Sequence, residues 1–283
     1  MIRKLKIILE MIKFEHTVFA LPFALMSAFL AAEGPPALAK FGWILVAMVG
    51  ARSCAMAFNR LADAEFDAKN PRTAMRALPA GLIKKGTVWC FTLISAGLLV
   101  FAAWQLNPLA FALSPVALAV VMGYSYTKRF TALSHFWLGL SLAISPVGAW
   151  IAVQGSFALP PIILCLVVLL WTAGFDIIYA CQDVSFDKTH GLHSIPAKIG
   201  IKGALWLSSA LHVIAVLLLL LIPLLVELGV FYYIGVGAVV LIFIYEHAIV
   251  KPTDLSRVNL AFFTLNGMVS LILMALSITD ILL

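Results

Sequence analysis

The chain has 283 residues, of which 63% are hydrophobic and only 11% charged, against about 25% charged in a soluble domain. With a mean hydropathy of +1.08, this composition excludes the soluble fold classes and places the chain in a bilayer. The net charge of +6 reflects how the loops are distributed across that bilayer and does not point to a nucleic-acid partner.

Residues 2–13 alternate Ile, Leu and Met with Lys, Arg and Glu at helical spacing. They read as an interfacial amphipathic helix within residues 1–15. A signal peptide would place a compact basic region directly before its apolar core, whereas Glu10 and Glu15 interrupt this approach. A first span is predicted over residues 16–32 and a second over about 41–62, the latter containing Arg52. The charge-free run 86–127 is twice the roughly 20 residues a span requires, and it breaks at Gln105-Leu106-Asn107-Pro108. The run 130–175 breaks at Gln154-Gly155-Ser156, followed by Pro160-Pro161. Each run is therefore a helical hairpin. Runs 203–226, 228–245 and 258–279 complete a set of nine spans in a single domain, residues 1–283. The predicted fold is an all-α membrane protein with a cytoplasmic N-terminus.

Charge placement supports this count. With the N-terminus inside, every Lys and Arg except Lys40 and Arg52 falls in a cytoplasmic segment or at the helix end beside one, as the positive-inside rule requires. The four cysteines have no paired spacing and read as small apolar packing residues. His190 and His193 have no further Cys or His partner nearby and read as loop residues; the other histidines form no pattern.

Chemistry is concentrated at one membrane face. The pattern Asp-x-x-x-Asp occurs at Asp63 and Asp67 and again at Asp183 and Asp187, each time where an apolar stretch gives way to a basic loop. Carboxylates four apart share a helix face. Arg72 and Arg76 follow the first pair within nine residues. Acids beside arginines make sense around a metal-bound phosphate: the carboxylates hold the cation and the guanidinium forks take the remaining phosphate oxygens. Asp176, Tyr179, Asp183 and Asp187 recur at helical intervals, with Asp176 about two turns, roughly 10 Å, deeper than Asp183. A carboxylate at that depth belongs in a polar pocket. Arg52 lies equally deep relative to Asn59. It reads either as an ion-pair partner of Asp176 or as polar lining of an acceptor pocket. Tyr124-Ser125-Tyr126-Thr127-Lys128-Arg129 lies on the same face and reads as a membrane anchor or as a diphosphate clamp.

These strings resemble the UbiA-type intramembrane aromatic prenyltransferases, and most closely the 4-hydroxybenzoate polyprenyltransferases of quinone biosynthesis. The resemblance rests on Asn59-Arg60-x-x-Asp63-x-x-x-Asp67, Arg72-Thr73-x-x-Arg76-x-Leu78-Pro79-x-Gly81, Tyr124-x-Tyr126-Thr127-Lys128-Arg129 and Asp176-x-x-Tyr179-Ala180-x-Gln182-Asp183-x-x-x-Asp187. It implies nine helices around a central cavity. It also implies that Asn59, Asp63, Asp67, Asp183 and Asp187 hold Mg²⁺ and the prenyl diphosphate and that Arg72, Arg76, Lys128 and Tyr124 contact the diphosphate; Arg129, beside Lys128 in the same loop, is a further candidate for substrate binding. Asp176 corresponds to a position tied to the acceptor or the cation, and Tyr179 is expected to stabilise the cation. Where some members carry Asn-Asp, this chain has Asn59-Arg60.

The implied reaction is Mg²⁺-dependent transfer of a polyprenyl group to a small aromatic acid, with 4-hydroxybenzoate the family default. The setting is a bacterial or archaeal cell membrane, the site faces the cytoplasm, and no protein partner is inferred. The stretch 174–183 also resembles a sub-branch that prenylates the aromatic acid of the futalosine route to menaquinone. Other superfamily members act on haem, chlorophyll precursors or glycerol phosphates. From other classes, a transporter would place its acids near the midplane on interrupted helices, and a membrane alcohol phosphotransferase would gather them in one continuous motif.

Overall fold

A computed structural model describes residues 7, 8, 10, 11 and 19–283. Its helices are α1 (Leu21–Ala32), α2 (Leu38–Lys69), α3 (Lys85–Leu106), α4 (Pro108–Thr127), α5 (Ser134–Gln154) and α6 (Leu159–Ala180). A 3₁₀ turn (Cys181–Asp183) leads into the short α7 (Val184–Thr189), followed by α8 (Ile195–Leu219), α9 (Val230–Ile249) and α10 (Asn266–Leu282), which a π-helical turn (Leu260–Leu265) precedes. Among the described residues the only strand-like feature is an isolated bridge between Lys251 and Asp254.

Among the described residues, eight helical segments are long and apolar enough to cross a membrane, and α1 adds a shorter apolar helix of 12 residues. Part of the predicted first span precedes α1 outside the described residues. The predicted amphipathic helix over 1–15 also falls largely outside them. Its described members Ile7, Ile8, Glu10 and Met11 are helical, and Ile8 and Met11 pack with Ala57, Ile83 and Val88.

The predicted hairpin breaks have visible causes. Asn107 is extended and caps α4, its side chain accepting the Ala110 N–H at 2.9 Å, with Pro108 as the first helical residue. Gly155 ends α5 with φ +72°, a conformation glycine adopts without strain. Lys40, the cation on the wrong face, donates to the carbonyl of Val153 at 2.6 Å, neutralising the negative end of α5.

Sequence neighbours pair around the bundle (α2 with α3, α3 with α4, α5 with α6, α9 with α10), and α10 returns to pack on α1, which in turn packs on α5. Two glycines set close approaches. A Cβ on Gly139 would lie 2.4 Å from the backbone oxygen of Leu169, and one on Gly50 would lie 2.8 Å from the backbone nitrogen of Leu99. Small residues of this kind let helix backbones meet in a bilayer, where lipid gives no hydrophobic drive to association. The largest apolar core gathers Phe19, Phe23, Trp171, Phe175, Tyr232 and Phe243. Within it, the Trp171 indole N–H donates to Asn266 Oδ1 at 2.6 Å, while Asn266 Nδ2 donates to Glu246 at 2.9 Å and to the Ala261 carbonyl at 2.9 Å.

Between α2, α3, α4 and α5 lies a cavity of about 430 Å³. Its walls are apolar over most of their length, and Arg52, Asn59 and Tyr124 are its polar markers at the motif-bearing end.

Candidate active site

The first acidic pair sits in the last turns of α2, an unbroken 32-residue helix. Asp63 and Asp67 are both buried, at 4% and 6% exposure. Asn59, one turn earlier, donates to Asp63 Oδ2 at 3.1 Å and reaches Ser125 Oγ at 3.4 Å. Lys128 Nζ lies 3.5 Å from Asp63 Oδ2, and Arg129 Nη2 lies 3.8 Å from Oδ1. Arg129 also donates to the Ala62 carbonyl at 2.6 Å and stacks on Phe66 and Tyr126. The loop after α2 folds back so that Arg76 grips both oxygens of Asp67, at 2.8 and 2.9 Å.

The second pair departs from its predicted geometry. Asp176 and Tyr179 lie on α6, but the chain then tightens into the 3₁₀ turn and re-forms as α7, so the expected single helical stripe is broken at Cys181–Asp183. In consequence Asp183 and Asp187 find different partners. Asp183 accepts two bonds from Arg72, at 3.2 Å from Nε and 2.5 Å from Nη2, and Arg72 Nη1 donates to the Tyr179 hydroxyl at 2.6 Å. Burial opposes the charge of Arg72, yet Asp183 and Tyr179 outweigh it and hold the guanidinium above its ordinary pKa. Asp187 instead accepts the Ser194 hydroxyl at 2.7 Å.

Asp176 does not pair with Arg52. Its Oδ2 lies 2.7 Å from Nδ1 of His135, in the first turn of α5. Arg52 lines the apolar cavity instead. Tyr124 lines the cavity with Asn59. The acids and cations singled out from sequence thus fall into hydrogen-bonded clusters, and Asn59, which bonds Asp63, joins the first of them to the cavity wall. His135, Ser194 and Ser125 were not foreseen. His135 and Ser125 contact residues 41 and 66 positions away, separations at which no helical periodicity signals contact, and Ser194 is seven from Asp187 but across the end of the helix at Thr189.

The donor set is entirely oxygen, the chemistry of a hard divalent cation. Asp63 Oδ1 is buried without a hydrogen-bond partner, an expensive condition for a carboxylate unless a cation completes it. Yet among the described residues no three carboxylate, histidine or cysteine side chains converge on one point. Arg72 and Arg76 occupy one carboxylate of each pair, and the conformation seen is closed by its own counterions.

Comparison with known proteins finds relatives over most of the chain. The sequence model of the UbiA prenyltransferase family matches residues 20–268. A 4-hydroxybenzoate octaprenyltransferase of Aeromonas hydrophila is 31% identical over 252 residues, 88% of this chain and 86% of the relative. One from Nitrosospira multiformis is 31% identical over 249 residues, 84% of this chain and 82% of the relative. The apo structure of a UbiA homologue from Aeropyrum pernix is 36% identical, superposes with a TM-score of 0.87, and covers 95% of this chain and 98% of its own. The fold also matches a UbiA homologue from Archaeoglobus fulgidus bound to DMAPP and Mg²⁺, with a TM-score of 0.78 at 19% identity over 97% of this chain and 98% of that one.

Proposed function

Because the chain belongs to the UbiA prenyltransferase family, we propose that it transfers a polyprenyl group from polyprenyl diphosphate to a small aromatic acid, 4-hydroxybenzoate as the default, and releases diphosphate. The observation that carries this reading is two carboxylate pairs, each capped by an arginine, the first of them bonded through Asp63 to Asn59, which lines an apolar cavity. A polyprenyl diphosphate has the same two-part character: the cavity suits the isoprenoid tail and the charged cluster suits the diphosphate.

In this reading Asn59, Asp63, Asp67, Asp183 and Asp187 would hold Mg²⁺, which when bound supplies neutralisation of the charge developing on the leaving diphosphate. Arg72 and Arg76 turn from carboxylates to phosphate oxygens, for which their planar forks are matched, and Lys128 and Arg129 add charge beside Asp63. Tyr124, which lines the cavity with Asn59, is the proposed contact to the diphosphate from the cavity side. The C1–O bond breaks with its electron pair leaving on diphosphate. The allylic cation is attacked by a ring carbon of the acceptor, which then loses its proton. Asp176 and the Tyr179 ring stabilise the positive charge, and the apolar wall excludes the water that would quench it to an alcohol. The site faces the cytoplasm of a bacterial or archaeal cell, the side to which the basic loops assign it.

The test is transfer of a radiolabelled polyprenyl diphosphate in membranes, with Mg²⁺ present or chelated, offering 4-hydroxybenzoate and the futalosine-route aromatic acid in parallel. Mg²⁺-dependent product with one acceptor is the expected result and selects the pathway. No product with either acceptor from intact protein overturns the acceptor class.

A further inference from the structure

We propose that His135 is a positioning residue for the transfer step, fixing the Asp176 carboxylate in the acceptor region through a ring whose tautomer is set by the backbone of α8. The inference rests on the prenyl-transfer reading above.

His135 is 3% exposed, and both of its ring nitrogens are engaged. Nε2 lies 3.3 Å from the backbone N–H of Ile195, which donates to it. A ring nitrogen that accepts an N–H carries no hydrogen, so the neutral imidazole has its single hydrogen on Nδ1. That hydrogen points at Asp176 Oδ2, 2.7 Å away. The donor for Asp176 is therefore fixed twice, once by the first turn of α5 and once by the start of α8.

Ile195 is also the end of a three-residue strap. The N–H of His193 donates to the Lys128 carbonyl at 2.7 Å, the Ser194 hydroxyl donates to Asp187 at 2.7 Å, and the N–H of Ile195 completes His135. Lys128 in turn faces Asp63 at 3.5 Å. Three consecutive residues thus tie together the cation beside the first acidic pair, the outer carboxylate of the second and the inner aspartate. Such a register sets how far the acceptor region stands from the diphosphate region, and transfer requires reacting atoms about 3–3.5 Å apart.

The test is a double-mutant cycle on purified protein in detergent, reading kcat and the KM of each substrate. We expect His135→Ala to lower kcat about 10- to 100-fold, the cost of a misplaced group, with the KM for prenyl diphosphate unchanged within threefold. His135→Asn, whose side-chain amide reaches the Nδ1 position, is expected to recover most of the loss. In an Asp176→Ala background, His135→Ala is expected to cost nothing further. Additive losses in the cycle overturn the inference. So does a rise confined to the prenyl diphosphate KM, or a collapse of the thermal midpoint in both His135 variants, since either makes the ring a plain packing element. A folded wild-type chain that transfers no prenyl group overturns the parent reading, and this inference with it.

Discussion

Arg72→Ala separates two roles that a wild-type measurement merges. In the conformation seen, Arg72 is the counterion of Asp183; during turnover it is proposed to hold phosphate. The resting pair is partly solvated, with side-chain exposures of 37% and 21%, so it is worth about 0.2–1 kcal/mol. Removing the guanidinium frees Asp183 for a competing cation and tightens binding of that cation alone by roughly 1.4- to 5-fold, the same energy expressed as affinity. Prenyl diphosphate moves the other way. One lost charge-assisted hydrogen bond costs about 1.5–3 kcal/mol, so kcat/KM for the donor falls roughly 10- to 150-fold. Titration of Mn²⁺ followed by paramagnetic resonance reads the first effect, and steady-state transfer at saturating acceptor reads the second. If both affinities fall together, or neither moves, the idea that arginine and cation alternate on Asp183 is wrong.

Asp63→Ala and Asp183→Ala should each abolish transfer by at least about 100-fold, the scale of losing a preorganised charge-stabilising group, with helical content by circular dichroism unchanged. Wild-type-like activity in either would remove that aspartate from the site. Ala117→Trp, in the cavity wall, should reduce turnover of long-chain donors far more than of a five- or ten-carbon donor, and an equal effect on both would refute the cavity as the tail site. Gly139→Ala drives a methyl against the Leu169 carbonyl; overpacking of this kind costs about 1–3 kcal/mol, visible as a lowered thermal midpoint in detergent. Asn266→Leu strands both the Trp171 indole and Glu246, at about 1–3 kcal/mol for each unpaired group, and an undiminished midpoint would show that the network contributes nothing to stability.

Much of the architecture was legible because the bilayer enforces simple rules. Charge-free runs set the spans, and Asn107-Pro108 and Gly155 end helices for local backbone reasons that need no tertiary information. The first acidic pair was equally plain, since α2 continues unbroken through Asp67. The second was only half legible. Its spacing fits a helix, but the 3₁₀ turn at Cys181–Asp183 re-aims the two carboxylates, one at Arg72 and the other at Ser194. Helical periodicity carries no warning of such a turn. The partner of Asp176 was beyond reach for a different reason. The sequence offered only Arg52, and it is the packing of α5 against α6 that brings His135 to Asp176. Lys40 shows the same limit in miniature: its position breaks the charge rule, and its reason, a carbonyl at the end of α5, lies 113 residues away.

The π-helical turn at Leu260–Leu265 makes the C-terminal segment unequally tolerant of changes in length. A π turn accommodates one residue more than the α-helix around it. Removing one residue here lets the turn relax to α geometry with the downstream phase kept, whereas a further inserted residue would rotate everything downstream by about 100°, one residue's share of a helical turn. Asn266 would then swing away from Trp171 and Glu246, and the face that α10 presents to α1 would turn with it. Phe262 packs on Tyr179 with ring centroids 4.2 Å apart, so the same insertion would reach the ring that supports Arg72. Substitutions along the turn leave the rotational phase of α10 intact, whereas a single-codon insertion is a frame error in three dimensions, felt both where the bundle closes and where the chemistry is held.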